Sequence, residues 1–78
     1  MNKQRLKAIS EVISQIEGLL GKVEGIRDAE QEFVDNMTDG VRESDRGQEA
    51  ESAADELNLA FDALEAARDA LGNIEGVN

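Results

Sequence analysis

Asp35-Asn36-Met37-Thr38-Asp39-Gly40-Val41-Arg42-Glu43-Ser44-Asp45-Arg46-Gly47 interrupts two long helical patterns and decides how they fold. Within it Asp39-Gly40 is a turn signal, and Ser44 is placed to cap a following helix through its hydroxyl. Upstream, Leu6, Ile9, Ile13, Ile16, Leu20 and Val23 alternate steps of three and four residues, and Val34 and Met37 resume the same phase. Downstream, Ala50, Ala53, Leu57, Ala60, Leu64, Ala67, Leu71 and Ile74 keep the alternation without a break. Such spacing lines apolar side chains along one seam of each helix, the pattern of helices packed at a shallow angle. A connection this short makes the helices antiparallel neighbours. The expected fold is all-α: a single helical-hairpin domain over 1–78, with a helix over about 3–37, a turn over about 38–44 and a helix over about 45–75.

Composition supports that reading and narrows the chemistry. Proline is absent, and the chain is rich in Ala, Glu, Leu and other helix-tolerant residues. At 78 residues the chain is one domain near the size at which a single core is marginal. It has no cysteine, so no disulfide supplements the core and no thiolate chemistry is open to it. It has no histidine either, which leaves carboxylates, amides and hydroxyls as ligands and disfavours zinc and copper. Glu30, Glu32, Asp35 and Asp39 follow no Asp-x-Asp-x-Asp-Gly loop and lack Glu-x-x-His repeats, so no metal site is expected. No serine sits in a nucleophile elbow, and the expectation is a non-enzyme without a cofactor. No apolar run reaches the length of a membrane span, and Met1-Asn2-Lys3-Gln4-Arg5 leads into an amphipathic pattern, so the expected location is the cytoplasm.

Eighteen acidic residues against eight basic ones give a net charge of -10. That field repels nucleic acid and anionic membrane, and Phe33 and Phe61 are the only aromatics for base stacking. Neither nucleic acid nor membrane is an expected partner. A basic protein partner remains open.

A lone hairpin leaves surface unaccounted for. Val12, Leu19, Ile26 and Phe33 lie beside the seam of the first helix and widen its apolar arc beyond what one partner helix covers. Self-association resolves this, and a dimeric four-helix bundle is the favoured homo-oligomer. Gly18, Gly21 and Gly25 are expected on the face opposite the seam. Each costs the helix about 0.5–1 kcal/mol relative to alanine. They mark either a weakened outer face or a close approach by another helix or a ligand.

The candidate binding residues gather near the interruption. Arg27 and Glu30 fall where the seam expects apolar residues, opposite Ala50, Ala53 and Ala54. They either pair with each other or with symmetry mates, or hold a bound group. Arg42 and Arg46, four apart, are positioned to present two guanidinium forks beside a helix N-terminus, with Gly47 admitting a ligand to the backbone. The alternative is pairing with Asp39, Glu43, Asp45 or Glu49. Arg68, also on the inner side, is expected to reach outward to solvent. Glu49, Glu51, Asp55, Glu56, Asp62, Glu65 and Asp69 form mostly solvated acidic rows on the second helix.

The stretch Asp28-Ala29-Glu30-Gln31-Glu32-Phe33-Val34-Asp35-Asn36-Met37, with Glu43-Ser44-Asp45-Arg46-Gly47 and the Ala-rich acidic helix after it, resembles a group of short phage and prophage proteins. Their shared pattern is an acid-Gln-acid-aromatic run, Asp-Asn-Met-Pro, a short loop and Ser-acid-Arg-Gly. It covers about a quarter of this chain, and Thr38 stands where those sequences often have proline. The resemblance implies a phage accessory protein acting against host defence. On that footing one expectation is a sponge: a homo-oligomer that binds a nucleotide-derived immune signal without cleaving it. Arg27, Arg42 and Arg46 would hold phosphates, Glu30, Asp35 and Asn36 would contact base or ribose, and Phe33 would support a ring, with Ser44 and Gly47 beside them. Two other readings stand next to it. One is an acidic interaction module or DNA mimic that blocks a host nucleic-acid-binding factor. The other is a structural or assembly bundle using the apolar seam alone.

Overall fold

The computed structural model describes residues 1–77. Helix α1 runs Lys3–Asp35, a one-turn helix α2 runs Asp39–Glu43, and helix α3 runs Asp45–Gly72. No strand occurs among the described residues. Helices α1 and α3 pack along their length as an antiparallel hairpin, and α2 lies against α3 at the corner. The Cα extents are 58 × 14 × 14 Å and the radius of gyration is 17.4 Å. A compact 78-residue domain would have about 11–12 Å. The molecule is a rod two helices wide.

Each helix begins with a side-chain cap. The Asn2 side chain accepts from the Arg5 N–H at 2.8 Å. The Thr38 hydroxyl accepts from Val41 N–H, and that of Ser44 from Gly47 N–H. Ser44 also ends α2, its N–H donating to the Val41 carbonyl, with its backbone extended at ψ 162°. The corner therefore differs from the expected one. The chain reverses through Asn36–Thr38, where α1 ends two residues early, and Asp39-Gly40 opens the short helix α2 instead of forming the turn. The threonine cap explains this, because a capped N-terminus directs the following residues into a helix.

The seam of α1 is as expected: Ile16, Leu20 and Val34 are buried, and Leu6, Ile9, Ile13, Val23, Arg27, Glu30 and Met37 are half-buried. The seam of α3 departs from the expected one. Ala50, Leu57, Leu64 and Leu71 face inward, but the intervening inward positions are Gly47, Ala54, Phe61 and Arg68, not Ala53, Ala60 and Ala67. Ala60 and Ala67 are exposed, as Ala53 partly is. Steps of three and four can alternate in either order from the same anchor, so the pattern permits both phases. Covering the Phe61 ring removes more apolar area from water than covering Ala60, and that difference selects the observed phase.

Two glycines are demanded by local packing. A Cβ at Gly47 would collide with the Val41 carbonyl and lie 2.8 Å from Arg42 Cα, so only glycine lets α2 fold onto the first turn of α3. Gly76 has φ +95° and brings the chain beyond α3 against the Leu6 side chain, near the start of α1. No helix among the described residues is long and apolar enough to cross a membrane.

Candidate functional site

An open groove of about 1040 Å³ runs along one side of the α1–α3 seam, toward the corner. Its α1 wall carries Gly21, Lys22, Gly25, Ile26, Ala29, Glu30 and Phe33. Its α3 wall carries Arg46, Glu49, Ala50 and Ala53. Gly21, Gly25, Ala29, Ala50 and Ala53 are among its lining, and their small size leaves the space between the larger side chains open. No atom of the chain outside the helix backbone comes within 4 Å of where a Cβ would stand on Gly18, Gly21 or Gly25. Gly21 and Gly25 thus border the groove, where the sequence pattern placed them on the far face.

Arg46 is the principal polar feature. Its guanidinium carbon sits 5.5 Å from the centroid of the Phe33 ring, a cation–π pair that joins α3 to α1 across the groove. It forms no ion pair within 4 Å among the described residues. Its charge is therefore available at the groove mouth, with Lys22 as a second cation and Glu30 and Glu49 as acceptors.

The sequence-derived residues divide into two sets. Glu30, Phe33 and Arg46 are brought together by the groove. The others have structural posts. Arg27 pairs with Asp28 at 3.3 Å and lies 4.7 Å from the Phe61 ring, within the seam; of the alternatives raised for it, the pair with Glu30 does not form. Arg42 pairs with Glu51 at 3.6 Å and donates to the Val34 carbonyl at 3.5 Å. Arg42 and Arg46 do not form a double fork. The break at Ser44 places them on separate helices, so the four-residue spacing that would align them on one face does not apply. Asp35 accepts from Gln31 Nε2 at 2.9 Å, and Asn36 closes α1 through its backbone N–H. Ser44 is a cap, and Gly47 is occupied by the α2 backbone, so it does not admit a ligand. Arg68, in the seam, pairs with Glu65 at 3.8 Å and Asp69 at 3.2 Å.

Lys22 and Glu49 complete the groove; Lys22 was not singled out by the sequence, and Glu49 was read only as an arginine partner and part of a solvated acidic row. The available signal was Lys22 four residues before Ile26, on the edge of the exposed apolar row. No three-residue cluster of acidic, histidine or cysteine side chains suited to a metal ion occurs among the described residues. Comparison with protein-family models, curated proteins and solved structures gives no match to this chain.

Proposed function

We propose that the chain is a binding protein that assembles with itself and holds a small nucleotide-derived anion in the α1–α3 groove without cleaving it. The observation that carries this reading is the Arg46 guanidinium over the Phe33 ring at the groove mouth. A cation beside an aromatic face is the combination that meets a phosphate and a planar base together. Lys22 adds a second positive charge, and Glu30 and Glu49 supply acceptors for ribose hydroxyls or base N–H groups. A single groove is open along its length, so enclosure of most of a ligand's surface calls for a second subunit. In a phage accessory protein acting in the host cytoplasm, this property would sequester a defence signal.

The test uses cyclic dinucleotides and cyclic ADP-ribose isomers as probes. Purified protein is incubated with each, freed of excess and heated. The expected result is recovery of intact probe in a fixed ratio to chain, with Arg46→Ala lowering affinity at least about tenfold at unchanged helicity. Failure of every phosphorylated probe to bind would remove this reading.

The acidic side of the rod favours a second reading. Glu17, Glu24, Glu51 and Glu65, on a chain of net charge -10, suit a basic groove on a host protein. Capture of a nucleic-acid-binding protein that weakens steeply with salt is its expected mark.

A further inference from the structure

We infer that a second copy of this chain docks on the flank that carries Val12, Leu19, Ile26 and Phe33, about a two-fold axis parallel to the rod, so that both corners lie at one end of a four-helix bundle. The inference deepens the assembly part of the proposed function and rests on that part, not on any ligand.

The seam defines two flanks. One step before its Ile13, Leu20 and Val34 line, α1 presents Val12, Leu19, Ile26 and Phe33, a strict repeat of seven. One step before the Gly47, Ala54, Phe61 and Arg68 line, α3 presents Arg46, Ala53, Ala60 and Ala67. Ile26, Phe33, Arg46 and Ala53 line the same groove, which fixes both rows to one side. The seven-residue repeat extends the register to Leu19 beside Ala60 and Val12 beside Ala67. The opposite flank reads Ser10, Glu17, Glu24 and Gln31 on α1 and Glu51, Asn58, Glu65 and Gly72 on α3.

Three observations identify the occupant. First, the large row is exposed, at 42% for Val12, 47% for Leu19, 58% for Ile26 and 37% for Phe33, and the row beside it is almost all alanine. A two-fold axis parallel to the rod turns each large row onto the small row of the other copy, bulk onto hollow. An axis across the rod would set bulk on bulk and leave a gap between the alanines. The face is thus complementary to itself.

Second, the area is right. The chain exposes 5603 Å². A compact monomer of 8.5 kDa exposes about 4650 Å². The excess of about 950 Å² is close to the roughly 800 Å² that each partner contributes to a standard stable interface. Third, the other flank carries four glutamates and repels its own copy, whereas the groove side holds Lys22 and Arg46 with Glu30 and Glu49.

In this arrangement Val12 and Leu19 meet alanine closely toward the chain ends. Toward the corner Gly21, Gly25, Ala29, Ala50 and Ala53 leave room. There the two grooves face each other and become one chamber, with a Phe33–Arg46 pair from each copy in its wall.

The experiment exploits the absence of cysteine. Chains carrying Leu19→Cys are mixed with tagged, heavier chains carrying Ala60→Cys and oxidised, then separated without reductant. Both positions are exposed, and circular dichroism verifies that the helices persist. The expected product is the mixed disulfide, in at least fivefold excess over like-with-like products, and the same from Val12→Cys with Ala67→Cys. Glu24→Cys with Asn58→Cys should give none above background. Sedimentation of the unsubstituted chain should show a dimer. A monomer would overturn the assembly itself and leave this flank to a helix of some other protein. A dimer with like-with-like products dominant, or with cross-linking through Glu24→Cys and Asn58→Cys, would overturn the face or the axis. Neither readout involves a nucleotide, so failure of ligand binding leaves this result standing.

Discussion

One flank of the hairpin sets Val12, Leu19, Ile26 and Phe33 beside Ala53, Ala60 and Ala67; the other sets Glu17, Glu24 and Gln31 beside Glu51, Asn58 and Glu65. Both flanks adjoin the same seam and belong to the same two helices. What separates them is a single step along the chain, before or after the inward residue. The seam brings the chain back on itself, but it buries little: Ile16, Leu20, Val34, Ala50 and Ala54 are the buried apolar residues. A core of that size gives limited stability. If a second copy covers the apolar flank, the acidic one stays wet.

The comparison can be broken most forcefully from the apolar side. Leu19→Glu with Ile26→Glu should raise the dimer dissociation constant at least about 100-fold, since each places a charge in the contact. Glu17→Gln with Glu24→Gln on the other flank should leave it within about threefold. Sedimentation equilibrium measures both, and equal effects from the two pairs would erase the distinction between flanks. Next in size is Gly47→Ala, which drives a methyl into the Val41 carbonyl and should cost about 2 kcal/mol in denaturant unfolding. This change acts on the corner common to both flanks and separates folding from assembly.

Arg27→Ala should cost about 1 kcal/mol, through loss of its contact with Phe61 and of its stem packing. Because Arg27 lies in the seam, the loss should be seen in unfolding more than in nucleotide binding, the reverse of Arg46→Ala. The smallest effect is that of salt. Two chains of net charge -10 repel, so raising ionic strength from about 0.05 to 0.5 M should tighten the dimer a few-fold. Weakening by salt would mean that ion pairs, not the apolar flank, hold the copies together.

Much of the architecture was legible in the sequence because the helical repeat is long. The α1 seam from Leu6 to Met37, the antiparallel reversal and the Ser44 cap all follow from spacing and side-chain chemistry. The α3 phase was not legible, since a row of alanines at 53, 60 and 67 and a mixed row at 54, 61 and 68 satisfy the same period. The choice lies in burial of the Phe61 ring, which packs beside Arg27 across the seam and outweighs the alanine row once the helices are docked. The candidate site was half legible. Glu30, Phe33 and Arg46 do converge. Arg42 and Gly47 were drawn away because Ser44 splits the segment into two helices, which spacing alone does not reveal. The glycines were visible as an anomaly, but the groove they border required the position of α3 to be known.

Ser44 ends one helix and begins the next, and Val34, Ala50, Ala54 and Met37 cluster just beside it. The most local contacts of the rod and its most deeply buried side chain, Ala54, are thus at the same end. Chain collapse has a natural origin there, because the loop to be closed is shortest, and order should spread from it like a zip toward the termini. Amide protons should accordingly exchange slowest around the hinge and progressively faster along the 58 Å rod, so that the molecule opens from its tips while its bend still holds.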